Sequence, residues 1–119
     1  MKKREVMAKY LVRNLENAPE VIHSLCGESI RVITHRDTPD INIHVTHILD
    51  GVKHYHKRTT EVYYILEGKG KMELEDETVD LKPGVIVLIP AGVRHRGYGD
   101  FKTIVIGTPA QISEDEYTD

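Results

Sequence analysis

Between residues 29 and 106 the chain alternates apolar and polar positions at a period of two, in short runs broken by glycine and proline. Successive side chains of a strand point to opposite faces, so this period predicts half-buried strands rather than helices. Residues 29–34 and the stretch Ile41-Asn42-Ile43-His44-Val45-Thr46-His47 are the first two runs. Residues 62–66 are β-branched and aromatic, Glu67-Gly68-Lys69-Gly70 reads as a turn, and residues 71–75 alternate again before a turn at Asp76-Glu77. Val79 and Leu81 carry the alternation on. Lys82-Pro83-Gly84 suits a type II turn and Ile89-Pro90-Ala91-Gly92 a type I turn. Between them, the continuous apolar run 85–89 predicts a strand buried on both faces, with Ile86 and Leu88 in the core beside Met72 and Leu74.

The pattern is weaker at the ends. Residues 1–9 are charged and read as loose. Tyr10-Leu11-Val12 suits a short edge strand, and Pro19-Glu20-Val21-Ile22 a helical turn within a loop-rich arm. Residues 93–98 and 102–106 are the last strands, and the acidic tail from 111 to 119 reads as solvated. The expectation is an all-β sandwich or small barrel of about seven to nine short strands. It forms a single domain: an N-terminal arm over 1–28, a barrel over 29–107 and an acidic tail over 108–119.

Composition narrows the function classes. The chain has 119 residues, enough for one domain with a sizeable core. Sixteen basic against nineteen acidic residues leave a net charge of −3, a poor match for nonspecific nucleic-acid binding. Cys26 is the single cysteine, so there is no disulfide framework, and a reducing compartment fits. No apolar run approaches the length of a membrane span or signal-peptide core. The expectation is a soluble cytoplasmic protein with a small-molecule partner, no nucleic acid and no membrane.

The chemistry concentrates in His54-Tyr55-His56-Lys57-Arg58-Thr59-Thr60-Glu61, answered by Gly84, Pro90, Gly92 and His95. On a strand, residues two apart share a face with Cα atoms ~6.5–7 Å apart, so both imidazoles can lean toward one point. Lys57-Arg58-Thr59-Thr60 can reverse the chain and deliver Glu61 beside them. His95, after a Pro-Gly turn, closes the set from a neighbouring strand. Three imidazoles and one carboxylate make a mixed site for one divalent transition metal: Mn, Fe, Ni, Co, Zn or Cu. Six-coordination would leave two positions open for water, dioxygen or a bidentate oxygen substrate. A His-x-His pair alone could equally be an exposed strand face; Glu61 and His95 are what make the set.

These stretches resemble the paired motifs of the cupin superfamily. The first motif spaces Gly, His-x-His, Glu and Gly at intervals of five, three or four, and six residues, and His54, His56, Glu61 and Gly68 fall in place. Its leading glycine does not: Ile48 holds that position and Gly51 lies nearer His54. The second spaces Gly, Pro-x-Gly, His and Asn, matched by Gly84, Pro90, Gly92 and His95, with Gly99 in place of the Asn. Neither departure touches a ligand. The resemblance implies a cupin-type jelly-roll β-barrel with the metal held inside by His54, His56, Glu61 and His95. It also implies a homodimer, with residues 10–13 adding to the partner's sheet. Glu61-Val62-Tyr63-Tyr64, His95-Arg96 and the closing Pro109 with Ser113-Glu114-Asp115-Glu116 are similar to small cupins of the mannose-6-phosphate isomerase-like group.

Three functions follow. The first is a metal-dependent isomerase or epimerase acting on a small oxygen-rich substrate: a sugar, sugar phosphate or hydroxy acid. The second is a non-haem iron dioxygenase, which zinc in place of iron would inactivate. The third is a binding or sensor module without turnover. Two further residues are catalytic candidates. Tyr63 shares parity with Glu61 and either fills the core or offers its phenol to a substrate. His47 either reaches the pocket as a general base or sits satisfied at the surface. His44 has the opposite parity, so one of the two points away. Arg94 and Arg96 flank His95 and point outward, which leaves Arg58 as the pocket-rim cation.

Overall fold

The structure, a computed structural model, describes residues 9–119, and the charged start Met1-Lys2-Lys3-Arg4 lies outside the described residues. Seven strands carry the fold: β1 (Glu20–His23), β2 (Glu28–Ile33), β3 (Asn42–Asp50), β4 (Thr60–Leu74), β5 (Glu77–Leu81), β6 (Ile86–Ile89) and β7 (His95–Thr108). They pair antiparallel in the order β1-β2-β3-β7-β4-β5, with β6 added to β4. This is an all-β, jelly-roll-like strand order.

β4 and β7 pair from Thr60↔Thr108 to Leu74↔His95 and form the backbone of the barrel. The turn expected at Glu67-Gly68-Lys69-Gly70 is instead the middle of β4, and the two strands expected over 93–106 are one. Glycine here serves close approach rather than reversal. Gly70 lies opposite Gly99 and Met72 opposite Gly97. A Cβ at Gly68 would strike the Asp100 carbonyl, and one at Gly70 the Tyr98 carbonyl and the Phe101 ring. Gly68 also has φ +87°, a conformation that other residues rarely adopt. A bulge between Ile65 and Glu67 completes the bend.

Ile48, Tyr63, Ile65, Met72, Leu81, Val87, Ile89, Phe101 and Val105 form the core. Fully burying side chains of this size stabilises by about 1.5–3 kcal/mol each. β6 corrects the expectation for 85–89. Val87 and Ile89 are buried, but Ile86 and Leu88 are each 64 % exposed. Among the described residues β6 pairs only with β4, and no layer covers its outer side. An apolar run is compatible with one open face, and periodicity alone could not separate the two cases.

The arm also departs from expectation. Tyr10, Leu11 and Val12 form no strand, and a 3₁₀ turn, Leu15–Asn17, follows with Asn14 capping it. Where a helical turn was expected, β1 pairs with β2. The acidic tail is docked rather than solvated. Asp115 is 3 % exposed, and the Tyr117 backbone pairs with that of Tyr55 through two 3.0 Å hydrogen bonds.

Candidate metal centre

His54 and His56 lie in the segment between β3 and β4. His54 is fixed by a two-way backbone bridge: its N–H donates to the His95 carbonyl at 3.0 Å, and the His95 N–H returns the bond at 2.9 Å. Tyr55, on the opposite face, is held by Tyr117, so both histidines turn inward. Glu61 enters from the start of β4 and His95 from the start of β7. The turn before His95 is latched to the first histidine pair, because the Gly92 N–H donates to the His56 carbonyl at 2.6 Å. Gly92 has φ +91°, which a glycine accepts without strain.

The four side chains are buried, and each offers one ligand atom within 4.8 Å of the others. The imidazole protons are placed by the backbone. Nδ1 of His54 faces the Val52 carbonyl at 2.7 Å, that of His56 the Asp115 carbonyl at 2.8 Å, and that of His95 the Val93 carbonyl at 3.0 Å. A carbonyl oxygen only accepts, so each Nδ1 donates and each Nε2 of a neutral ring presents a lone pair. Those lone pairs converge with Glu61. The Nε2 atoms of His56 and His95 lie 3.3 and 3.2 Å from Glu61 Oε1, yet all three atoms are buried without a hydrogen-bond partner. Orphaned buried polar atoms are rare in proteins and call for an explanation. Four donors aimed at one point form a plausible set of divalent-metal ligands, and carbonyls gripping the distal nitrogens are the usual support of such ligands.

The electrostatics agree. Burial favours the neutral form of Glu61, but the imidazoles of His56 and His95 against its Oε1 outweigh it and hold the carboxyl far below its ordinary range. Burial also pulls His56 down, and Glu61 more than offsets it, so His56 is raised. The centre therefore attracts positive charge. Burial, then the neighbouring His95, pushes His54 down to about 4. A neutral imidazole and an ionised carboxylate are the states in which these groups bind metal.

A second layer comes from the tail, which sequence reasoning missed. The buried Asp115 carboxylate accepts the backbone N–H groups of Lys57 at 3.0 Å, Arg58 at 3.0 Å and Thr59 at 3.3 Å. It thereby sets the loop that carries the chain from His56 to Glu61. An acidic composition gave no signal for this.

The other candidates fall unevenly. Tyr63 faces the interior at 1 % exposure, its ring 6.1 Å from that of His95 and its hydroxyl 3.4 Å from Cys26 Sγ. Burial raises its phenol well above the ordinary value, so it stays protonated. Cys26, read from the sequence as an incidental thiol, sits between Tyr63 and His54, with Sγ 3.6 Å from His54 Nε2. Burial pushes its thiol up to about 12.

His47 does not reach the pocket. It lies on the outer side of β3 and pairs with Asp100 at 2.8 Å. His44, of opposite parity, is the buried histidine of that strand, and burial, then the charge of Arg31, pushes it down to about 4. Arg96 points outward to Asp50 and Glu73 as expected. Arg58 is exposed, and its backbone rather than its side chain serves the site through Asp115. Arg31 on β2, directly across the ladder from His44, and Arg36 line the larger cavity, and Arg31 also lines the smaller pocket beside His54 and Glu61.

The cavity leading to the centre holds about 440 Å³, within the range of small-molecule sites. A separate, smaller pocket of about 10 Å³ shares Arg31 and His44 with it and is lined also by Cys26, His54 and Glu61. Among the described residues, no helix is long and apolar enough to cross a membrane.

Comparison with known proteins places this geometry. The family described as Cupin domain matches residues 46–105, which include all four converging side chains. An uncharacterised protein of Aquifex aeolicus is 38% identical over 92 residues, 75% of this chain and 76% of the relative. A solved protein from Planctomyces limnophilus superposes with a TM-score of 0.85 at 27% identity, covering 94% of this chain and 99% of that one. A nucleoside dehydratase from Streptomyces shares the fold at a TM-score of 0.82, with 17% identity over 93% of this chain and 92% of its own.

Proposed function

The chain belongs to the cupin family, and from that premise we propose that it is a metal-dependent enzyme acting on a small oxygen-rich substrate by proton transfer, in the manner of an isomerase or epimerase. The observation that carries this reading is the set of buried, unpartnered atoms at His56 Nε2, His95 Nε2 and Glu61 Oε1. His54, His56, Glu61 and His95 would hold the metal. When bound, a divalent transition metal supplies Lewis-acid polarisation of a substrate carbonyl or hydroxyl.

The chain's own groups supply the rest. His44, neutral and lining the pocket beside His54 and Glu61, takes the proton-accepting role that was one of two readings of His47 from the sequence. Tyr63 keeps its proton and orders the inner wall through Cys26. The small pocket beside His54 and Glu61 leaves little room for water around the reacting end of a substrate.

The test is metal content, measured by mass spectrometry on untagged protein purified without chelators. Stoichiometric divalent metal in the wild type, lost in His54→Ala and His95→Ala, is expected. Metal-free wild-type protein would sink the enzyme reading and the dioxygenase alternative together. Turnover that stops when zinc replaces iron would favour the dioxygenase.

The protein works as a homodimer in a reducing, cytoplasmic setting. The single cysteine supports the compartment. The partner-facing surface is the outer side of β4 and β6, where Tyr64, Leu66, Ile86 and Leu88 stand exposed together. Leu88→Glu should convert a sedimenting dimer to a monomer; a wild type that sediments as a monomer at micromolar concentration removes the dimer.

A further inference from the structure

Among the arginines of the described residues, most are committed. Arg13 is paired with Asp37, Arg36 with Glu20, and Arg96 with Asp50 and Glu73, while Arg94 stacks on Tyr55. Arg31 differs. Its Nε is buried without a partner, and its guanidinium makes no hydrogen bond or ion pair among the described residues. A buried donor left unmade is costly, and a charged one more so. Its position gives that cost a purpose. Arg31 shares parity with Ser29, lies across the ladder from His44, and lines both the 440 Å³ cavity and the smaller pocket that His54 and Glu61 also line.

The acidic groups nearby do not neutralise it. Glu20, on the cavity wall, faces Arg36 at 3.5 Å, Glu116 keeps its charge while accepting from Gln111 Nε2 at 2.8 Å, Glu61 faces His56 and His95, and none of the three forms an ion pair with Arg31. The remaining titratable wall, His23, His35 and His44, carries no negative charge in any state. A guanidinium fork with open donors, set in a concave site, is the geometry that grips an oxyanion.

We infer that Arg31 is the anchor for an anionic group, carboxylate or phosphate, at the far end of the substrate whose oxygen-bearing end faces His54, His56, Glu61 and His95. The inference rests on the reading of those four residues as the reacting end. It deepens that reading by excluding neutral sugars and polyols as the preferred substrate class. Arg31 selects and orients; His44, opposite it, lies where the chain of such a substrate must pass.

The experiment compares three probes of one skeleton: glycerol 3-phosphate, glycerate and glycerol. Binding is measured calorimetrically on wild type, Arg31→Gln, Arg31→Lys and His95→Ala, each also assayed for metal and thermal stability. At least one anionic probe should bind the wild type about 30-fold more tightly than glycerol, as charge-assisted hydrogen bonds to a guanidinium allow. The better anion distinguishes phosphate from carboxylate. Arg31→Gln should erase the preference with its metal content unchanged, and Arg31→Lys should restore part of it. His95→Ala should lose metal but keep the preference, since direct capture of the probe by metal is then impossible.

Thermal stability of Arg31→Gln should equal or exceed that of the wild type, because the lost charge had no partner. A marked drop would instead assign Arg31 a structural role and overturn the anchor. Equal binding of glycerol and both anions to the wild type overturns it as well, without recourse to any variant. Wild-type protein free of metal that still prefers an anion through Arg31 would retain the anchor and remove the metal-centre reading, so the two failures are distinguishable.

Discussion

Removing the carboxylate of Asp115 tests how much of the centre is organised from outside it. In Asp115→Ala the backbone N–H groups of Lys57, Arg58 and Thr59 lose their acceptor. Lys57 and Arg58 are exposed residues whose amides water can reach, whereas Thr59 is 1 % exposed. A buried donor left without a partner costs about 1–3 kcal/mol, and each rehydrated bond about 0.5–1 kcal/mol. The sum is roughly 3 kcal/mol. An unfolding entropy of about 2.1 cal/mol/K per residue turns that into a fall of about 12 °C in melting temperature. Asp115→Asn keeps one accepting oxygen and should lose roughly half as much. The assay is urea unfolding of chelator-treated protein at neutral pH, so that metal linkage does not mask the loss. The Asp115 carbonyl that receives His56 Nδ1 survives either substitution, so metal affinity should fall only through disorder of the 57–59 loop. An alanine variant within about 0.5 kcal/mol of wild type would refute the reasoning and reduce the tail to a surface decoration.

Two more outcomes follow from the residues of β3. Burial depresses His44 from 6.5 to about 4, so between those values the unfolded chain binds a proton that the native one refuses. That contribution is fully present above about pH 6.5 and is lost as pH falls through 4, roughly 3 kcal/mol in all. In chelator-treated protein, His44→Leu should flatten the stability profile in that window; an unchanged slope would mean that His44 is solvated. His47→Ala removes only an exposed pair with Asp100, so stability should move by less than about 1 kcal/mol and metal content not at all. A loss of metal in that variant would restore His47 to the site.

The strand pattern and three of the four converging residues were legible because they are local, and His95 because the glycine and proline spacing before it matches a second motif. A period of two identifies a strand without reference to its neighbours, and His54, His56 and Glu61 lie within one segment. The face that a strand turns inward is not local. Parity separated His44 from His47 but could not choose between them, because the choice depends on the pairing of β3 with β2 and β7. Ile86 and Leu88 failed likewise, since the outer side of β6 stays open only because no second layer among the described residues covers it. Arg31 looked like any charged residue on a half-exposed strand, and its isolation emerges only once its neighbours are seen to be paired elsewhere. Asp115 was hidden by composition, for a run of acidic residues reads as solvated until one of them meets three amides. Gly68 and Gly70 misled in the opposite direction: glycine signals a turn and a close backbone approach equally well, and only the partner strand tells which.

The clamp on His56 also imposes an order of events. All four candidate ligands lie between residues 54 and 95, so they emerge from the ribosome before Asp115 does. Until Asp115 follows, the Nδ1 of His56 lacks its carbonyl and the 57–59 loop lacks its anion. A nascent chain can display every ligand and still be unable to aim them. Any metal that these four side chains hold would thus be gripped in full only once the tail that carries Asp115 has docked.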